Sequence, residues 1–316
     1  MREWTVENAD AGTRLDKWLA TRTDAGSRRR ATEWLERGKV FLKGEPVDLT
    51  AGAHRLVAGE RVGVWVDRPG SSKPVDRSVR KVRYLLNVLH EDESIVVVDK
   101  PVGVLVEPLP KREGEEQTLV DLLADHYKHA PRAHSFVVHR IDRDTSGLVL
   151  FARTAAARDA LKAQFEQRTP ERVYLAVVLG RPVPASGTWR DKLAWDPAAL
   201  RQRRAHGQDA RAKDAEARYT VTEEFRDASL VEVSLVTGKR NQIRVQAAMR
   251  GHPLLGERQY RFDAPPEPPT LPRIDRQALH AWTLGFIHPA TGRRVTYTSP
   301  LPADLTALLS ALRGRL

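Results

Sequence analysis

The sequence predicts an α+β protein with a mixed, largely antiparallel central sheet and flanking helices, preceded by a small α/β unit. Three observations carry this. Strand-like and helix-like segments are interspersed without a strict βαβ rhythm. The apolar runs are short and β-branched, as at Ile95-Val96-Val97-Val98 and Leu148-Val149-Leu150-Phe151-Ala152. A Pro-, Ser- and base-rich stretch at 69–83 separates a first segment, 1–68, from a larger one, 84–316. A length of 316 residues suits one large core plus an accessory module.

In segment 1–68, Thr13-Arg14-Leu15-Asp16 reads as a capping box, with Thr13 as N-cap. Leu15, Trp18 and Leu19 supply the apolar stripe of a short helix. Ser27 is placed to cap a second helix bearing Ala31, Trp34 and Leu35, with Gly38 as its stop. That helix also carries Arg28, Arg29 and Arg30, with Lys39 just after it. These are either RNA contacts or a solvated face. Strand-like pieces follow at 40–42 and 61–66.

Segment 84–316 opens with 88–94 leading into the run at 95–98, ended by Pro101 and Gly103. A helix is predicted over 118–129, with Leu119, Leu122 and Leu123 on one face. His139-Arg140-Ile141-Asp142-Arg143-Asp144-Thr145-Ser146-Gly147 reads as a charged loop feeding the strand at 148–152. Thr154 caps a helix to about 168. A strand at 171–179 ends at Gly180. Residues 201–213, with Arg201, Arg203, Arg204, Arg211 and Lys213, read as a phosphate-contacting loop or a plain exposed one. A strand at 230–236, a turn at Thr237-Gly238 and a helix over 241–250 come next. The segment closes with a Pro-rich loop at 264–272, a hairpin of 279–286 with 294–298, and a helix over 302–312.

Composition narrows the function. Hydrophobic residues make up 41% and charged residues 29%, as in a globular chain. No apolar run reaches the roughly 20 residues of a membrane helix, and the first residues lack a signal-peptide core; the expected address is the cytoplasm. There is no cysteine, which excludes disulfides and thiolate catalysis. The formal charge is +11, from 52 basic and 41 acidic residues. Such an excess fits either a polyanionic partner or a solubility surface.

The motifs exclude more. His139-Arg140-x-Asp142 has no Gly-rich loop before it and no Asp-Phe-Gly after it, unlike a kinase. Gly238-Lys239 lacks the upstream glycine of a P-loop. No His-Glu-x-x-His occurs and the histidines are scattered, which speaks against a metal site. What remains is Asp142, flanked by arginines in a basic protein. A carboxylate suits glycosidic chemistry, where positive charge builds on the sugar.

Two resemblances sharpen this. Gly12 to Leu19, Ser27-Arg28, Gly38-Lys39-Val40 and Ala58 to Val62 together resemble the S4-type RNA-binding domain. His139 to Leu148 resembles the signature of the RluA-type pseudouridine synthases. Four stretches agree with it in order: Glu91-Asp92 through Asp99-Lys100-Pro101-Val102-Gly103; Arg172-Val173-Tyr174; Thr237 to Arg244 with Gly251-His252-Pro253; and Leu279 to Trp282 with His288-Pro289. The resemblance implies isomerisation of uridine in RNA without cofactor or metal. It implies that Asp142 is the essential aspartate, acting on the ribose as nucleophile or base. It places Tyr174 against the uracil and Arg244 beside Asp142, where its charge would offset the cost of burying the carboxylate. Arg140 is a further candidate RNA contact, or else a salt-bridge partner of Asp144. The family often has Arg-Thr-His where this chain has Lys239-Arg240-Asn241. Ribosomal RNA is the first expected partner and transfer RNA the second, with no membrane partner and a monomeric chain. The rival reading is a non-catalytic RNA-binding or ribosome-assembly protein.

Overall fold

The computed structural model describes residues 1–66, 84–108, 116–129, 134–197, 201–205, 209–262 and 264–314. The linker expected at 69–83 lies outside these residues. Backbone contacts separate two units, Met1–Arg83 and Tyr84–Leu316.

The first unit contains β1 (Arg2–Thr5), α1 (Leu15–Arg22), α2 (Arg28–Glu36), β2 (Val40–Leu42), β3 (Glu45–Val47) and β4 (Arg61–Val64). The strands form an antiparallel sheet in the order β1-β4-β2-β3. Leu15, Trp18 and Leu19 of α1 bury with Ala31, Trp34 and Leu35 of α2 against Val40, Val62 and Val64. Ser27 caps α2 by accepting the Arg30 N–H at 3.3 Å. The capping box expected at Thr13 and Asp16 does not form. α1 takes Arg14 as N-cap without a side-chain cap bond. The Asp16 carboxylate instead accepts from Arg14 at 3.1 Å and from Arg28 at 2.6 Å. Burial raises the Asp16 pKa, but the two guanidiniums outweigh it and hold the group at about 2.

The second unit is built on a sheet of β5 (Asn87–Glu91), β6 (Ile95–Lys100), β7 (Phe136–Val137), β8 (Ser146–Ala152), β9 (Glu171–Leu179), β10 (Ser186–Asp196), β11 (Arg201–Arg204), β12 (Lys213–Glu224), β13 (Ala228–Leu235), β14 (Leu279–Ile287) and β15 (Arg294–Thr298). The order is β11-β10-β12-β13-β9-β14-β8-β6-β5, with β15 on β14 and β7 on β8. Among these strands the β14–β8 pair is parallel and the rest antiparallel, as the sequence predicts. The helices are α3 (Leu119–His126), α4 (Ala155–Gln167), α5 (Gln242–Ala248) and α6 (Ala303–Arg313).

Side chains alternate across a strand, and the core divides accordingly. Val96, Val98, Val149 and Phe151 pack with α3 and α5 through Leu119, Leu123, Ile243 and Ala247. Ile95, Val97, Leu148 and Leu150 pack with Ala157 and Leu161 of α4. Burying each of these large apolar side chains stabilises by about 1.5–3 kcal/mol. Helices thus cover both faces of β6 and β8, which explains why those runs are apolar without alternation.

Residues 201–204, expected in a loop, form an edge strand paired with β10. Their arginines are partly engaged: Arg203 meets Asp209, as does Arg211 beyond the strand, and Arg204 lies 3.9 Å from Asp191. Sheet pairing uses backbone groups, so a strand at an edge needs little apolar content.

Candidate active site

The loop between β7 and β8 is held by its backbone. Three consecutive carbonyls each accept a hydrogen bond. The Asp142 carbonyl takes the Thr145 N–H at 3.1 Å. The Arg143 carbonyl takes Lys100 Nζ at 2.8 Å and the Gly103 N–H at 3.0 Å. The Asp144 carbonyl takes Arg276 Nη1 at 3.2 Å. Lys100, at the end of β6, is fully buried and donates also to the carbonyls of Pro101 and Val104, each at 2.8 Å. Desolvation pushes its pKa down to about 7, against the upward pull of Asp144 and Asp142. Arg276 is fixed in turn by two bonds to Asp304, at 2.7 and 3.0 Å.

His139 serves this scaffold. Its Nε2 accepts the Leu150 N–H at 3.0 Å, and its ring stacks on Phe165 with centroids 4.8 Å apart. Desolvation, then the charge of Arg172, push its pKa down to about 3, so the ring is neutral. At the loop's far end, Gly147 has φ +107°, and a Cβ there would lie 2.2 Å from the Ala281 carbonyl oxygen. Only glycine permits β14 to approach β8 this closely.

Asp142 faces a cleft of about 670 Å³ that Tyr174, Arg172, Lys239, Arg240, Asn241 and Arg244 also line. Its Oδ2 accepts from Asn241 Nδ2 at 2.7 Å and from Arg244 Nη1 at 3.4 Å. Arg244 projects from α5 and is 9% exposed. Its fork is turned toward Glu257, with bonds of 2.7 and 2.8 Å, and it lies over the Tyr260 ring at 5.2 Å. Burial would discharge Arg244, but the hydrogen bond and charge of Glu257, then the charge of Asp142, raise its pKa overall. Glu257, although buried, is held charged by Arg244. Tyr174 stands on β9 opposite Ala281 and is 8% exposed. Burial pushes its hydroxyl up to about 12, with Arg172 pulling down. The neutral ring forms an apolar wall beside a cationic one.

The turn into α5 is set by Gln242. Its Oε1 accepts from the Thr237 hydroxyl at 2.7 Å and the Lys239 N–H at 2.9 Å, and its Nε2 donates to the Glu216 carbonyl at 3.0 Å. The turn therefore rests on β12, and Asn241 and Arg244 are delivered to the cleft together.

This fold and this cleft have known counterparts. Residues 94–249 match the family described as RNA pseudouridylate synthase. The chain is 36% identical over 320 residues to "Ribosomal large subunit pseudouridine synthase D" of Nitrosomonas europaea, covering 99% of this chain and 88% of that protein. It is also 36% identical over 327 residues to the protein of the same name from Pseudomonas aeruginosa, covering 96% and 92%. The chain belongs to the RluA-type pseudouridine synthases. The human protein "RNA Pseudouridylate Synthase Domain Containing 4" shares the fold, with a TM-score of 0.60 at 22% identity over 72% of this chain and 93% of that one. As a family member the chain is an isomerase that acts on RNA.

In the synthase, Asp142, Tyr174 and Arg244 come to one cleft, although 102 positions separate the first from the last. Arg140 does not pair with Asp144. Its Nη1 meets Glu107 at 2.9 Å, on the rim of a second cleft of about 410 Å³ that shares Asp142, Arg240 and Asn241. In the first unit Arg28 is tied to Asp16, Arg30 lies over Trp34 at 5.8 Å, Lys39 reaches the Val66 carbonyl, and Arg29 is exposed. Sequence reading missed Glu257, Tyr260, Arg276 and the gripping role of Lys100. It marked Asn241 as unusual without seeing its contact. Among the described residues no group of three His, Asp or Glu side chains is arranged to hold a metal.

Proposed function

We propose that the synthase converts uridine in ribosomal RNA to pseudouridine, with Asp142 as the group that acts on the ribose. The observation that carries the reading is Arg244 at 3.4 Å from Asp142, in a cleft walled by Tyr174. The N1–C1′ bond of the nucleoside breaks, the uracil turns, and a C5–C1′ bond forms as the C5 proton leaves and N1 takes up a proton. Atoms balance without a co-reactant. Positive charge on the ribose is met by the Asp142 carboxylate, which Arg244 and Asn241 hold in place. Tyr174 offers its ring to the uracil face, an apolar surface that tolerates rotation of the base. A uridine in structured RNA must leave its stack to reach this depth, and Lys239, Arg240 and Arg172 along the cleft suit its phosphates.

The names of the relatives favour the large-subunit ribosomal RNA as substrate over transfer RNA. A ribosomal substrate in turn implies action in the cytoplasm on a folding ribosomal precursor. The S4-like first unit docks on that RNA through Arg29, Arg30 and the rest of the exposed start of α2. A purely RNA-binding protein would have no use for the Asp142–Arg244–Glu257 arrangement. The test is release of tritium from C5 of uridine in unmodified large-subunit ribosomal RNA. Wild type releases it and Asp142→Asn does not. Silence of the wild type on both ribosomal and transfer RNA would sink the reading. Release that survives Asp142→Asn would remove Asp142 from its role.

A further inference from the structure

The Asp142 carboxylate is held by one oxygen only. Both donors, Asn241 Nδ2 at 2.7 Å and Arg244 Nη1 at 3.4 Å, meet Oδ2. Among the described residues Oδ1 accepts no hydrogen bond. The side chain keeps 25% of its surface open, on the wall of the cleft. Of the two donors Arg244 is the weaker, because its short bonds go to Glu257. Asn241 makes the close one.

The amide of Asn241 is itself fixed from behind. The Gln202 N–H donates to the Tyr260 hydroxyl at 2.9 Å, and that hydroxyl donates to Asn241 Oδ1 at 3.1 Å. Tyr260 is fully buried. The direction of this chain of bonds is set by its ends. A backbone N–H can only donate and an ionised carboxylate can only accept, so Nδ2 must face Asp142. Turning the amide over would set Oδ1 against the Asp142 carboxylate and lose that bond. The backbone of Asn241 is left-handed, at φ 53° and ψ 22°, a conformation that Asn adopts more readily than most side chains. The residue is therefore held at both its backbone and its amide, and it acts on Oδ2, the oxygen that Arg244 also meets.

We propose that Asn241 is a positioning residue. Held by Tyr260, it fixes the rotation of the Asp142 carboxylate so that Oδ1 is the oxygen presented to the ribose. This rests on the reading of Asp142 as the reacting group. Asn241→Leu keeps the size of the side chain and removes both polar atoms. In the tritium-release assay its kcat falls about 100-fold, the scale of a misplaced reacting group, while KM changes little. Tyr260→Phe frees the amide without removing it and gives a smaller fall in kcat. The double variant Asn241→Leu/Tyr260→Phe is no slower than Asn241→Leu alone, because the two act as one unit. Its thermal midpoint nevertheless recovers part of what Asn241→Leu loses, since apolar groups now face each other. A crystal structure of Asn241→Leu shows the Asp142 carboxylate rotated or in two orientations. Unchanged kcat in Asn241→Leu, or an Asp142 carboxylate that keeps its rotation there, overturns the proposal. So does a double variant whose kcat recovers together with its stability, which would mark a structural role. Silence of the wild type would instead overturn the function and this proposal with it; an active wild type beside an unaffected Asn241→Leu overturns the proposal alone.

Discussion

The buried ammonium of Lys100 donates to the carbonyl of Arg143, the residue after Asp142. A strand end thereby grips the loop that carries Asp142. The same ammonium satisfies two further carbonyls, so it saturates its three donors. Lys100→Met keeps the stem, takes the donor from the Pro101 and Val104 carbonyls, and leaves the Arg143 carbonyl with the Gly103 N–H alone. Each unpaired buried group costs about 1–3 kcal/mol, and a loss of at least about 2 kcal/mol is expected in urea unfolding of the second unit. Residual folded enzyme has a lower kcat, because the loop is looser.

Arg244 depends on Glu257 more than on Asp142 for its place. Glu257→Gln leaves a buried guanidinium with a weakened partner, and breaking a buried ion pair costs about 3–5 kcal/mol. A drop in thermal midpoint is expected together with slower tritium release. Arg244→Lys does not rescue function, because an ammonium cannot reproduce the two parallel bonds to Glu257. An Arg244→Lys enzyme with wild-type kcat and stability would contradict the geometry.

Gly147→Ala introduces a Cβ 2.2 Å from the Ala281 carbonyl oxygen. Backbone cannot yield there without parting β14 from β8. The expected result is an insoluble or largely unfolded second unit. A control at Gly251, where φ is +80° but no atom lies within 4 Å, is milder: Gly251→Ala carries only the backbone strain of about 1–2 kcal/mol. Circular dichroism and yield of soluble protein distinguish the two.

Asp16 carries a pH dependence in the first unit. Its folded pKa of about 2 lies below the ordinary 3.8. The ion pairs therefore stabilise fully above pH 3.8 and lose their effect as pH falls through 2. Solvent screens the half-exposed arginines, so the contribution is about 1 kcal/mol. Asp16→Asn is less stable than wild type by that amount at pH 7 in urea unfolding. The difference shrinks between pH 4 and 2.

Much of this could be read from the chain. The apolar runs of β6 and β8, the caps at Ser27 and Thr154 and the stop at Gly180 are local signals, and each element formed where its signal lay. The failures share a cause in distant partners. Asp16 had the right spacing for a cap, but Arg28 reached it from the next helix. The Arg201–Arg204 strand had no apolar pattern, because β10 supplies its pairing. Lys100 stood in a motif that ends a strand, and the carbonyl it grips at Arg143 lies 43 positions away. Glu257 sits in no pattern at all, and only the fold puts it 2.7 Å from Arg244.

The carbonyls of Asp142, Arg143 and Asp144 are held by residues 145, 100 and 276, and β14, at 279–287, lies between β8 and β9. On the ribosome the chain emerges in order, so the loop waits for a clamp made more than 130 residues after it. A nascent synthase has made Arg28, Arg29 and Arg30 long before the loop of Asp142 can be held at both ends. The loop is fixed at Asp144 only once residue 276 has emerged, and a chain truncated before that residue would lack this hold on it.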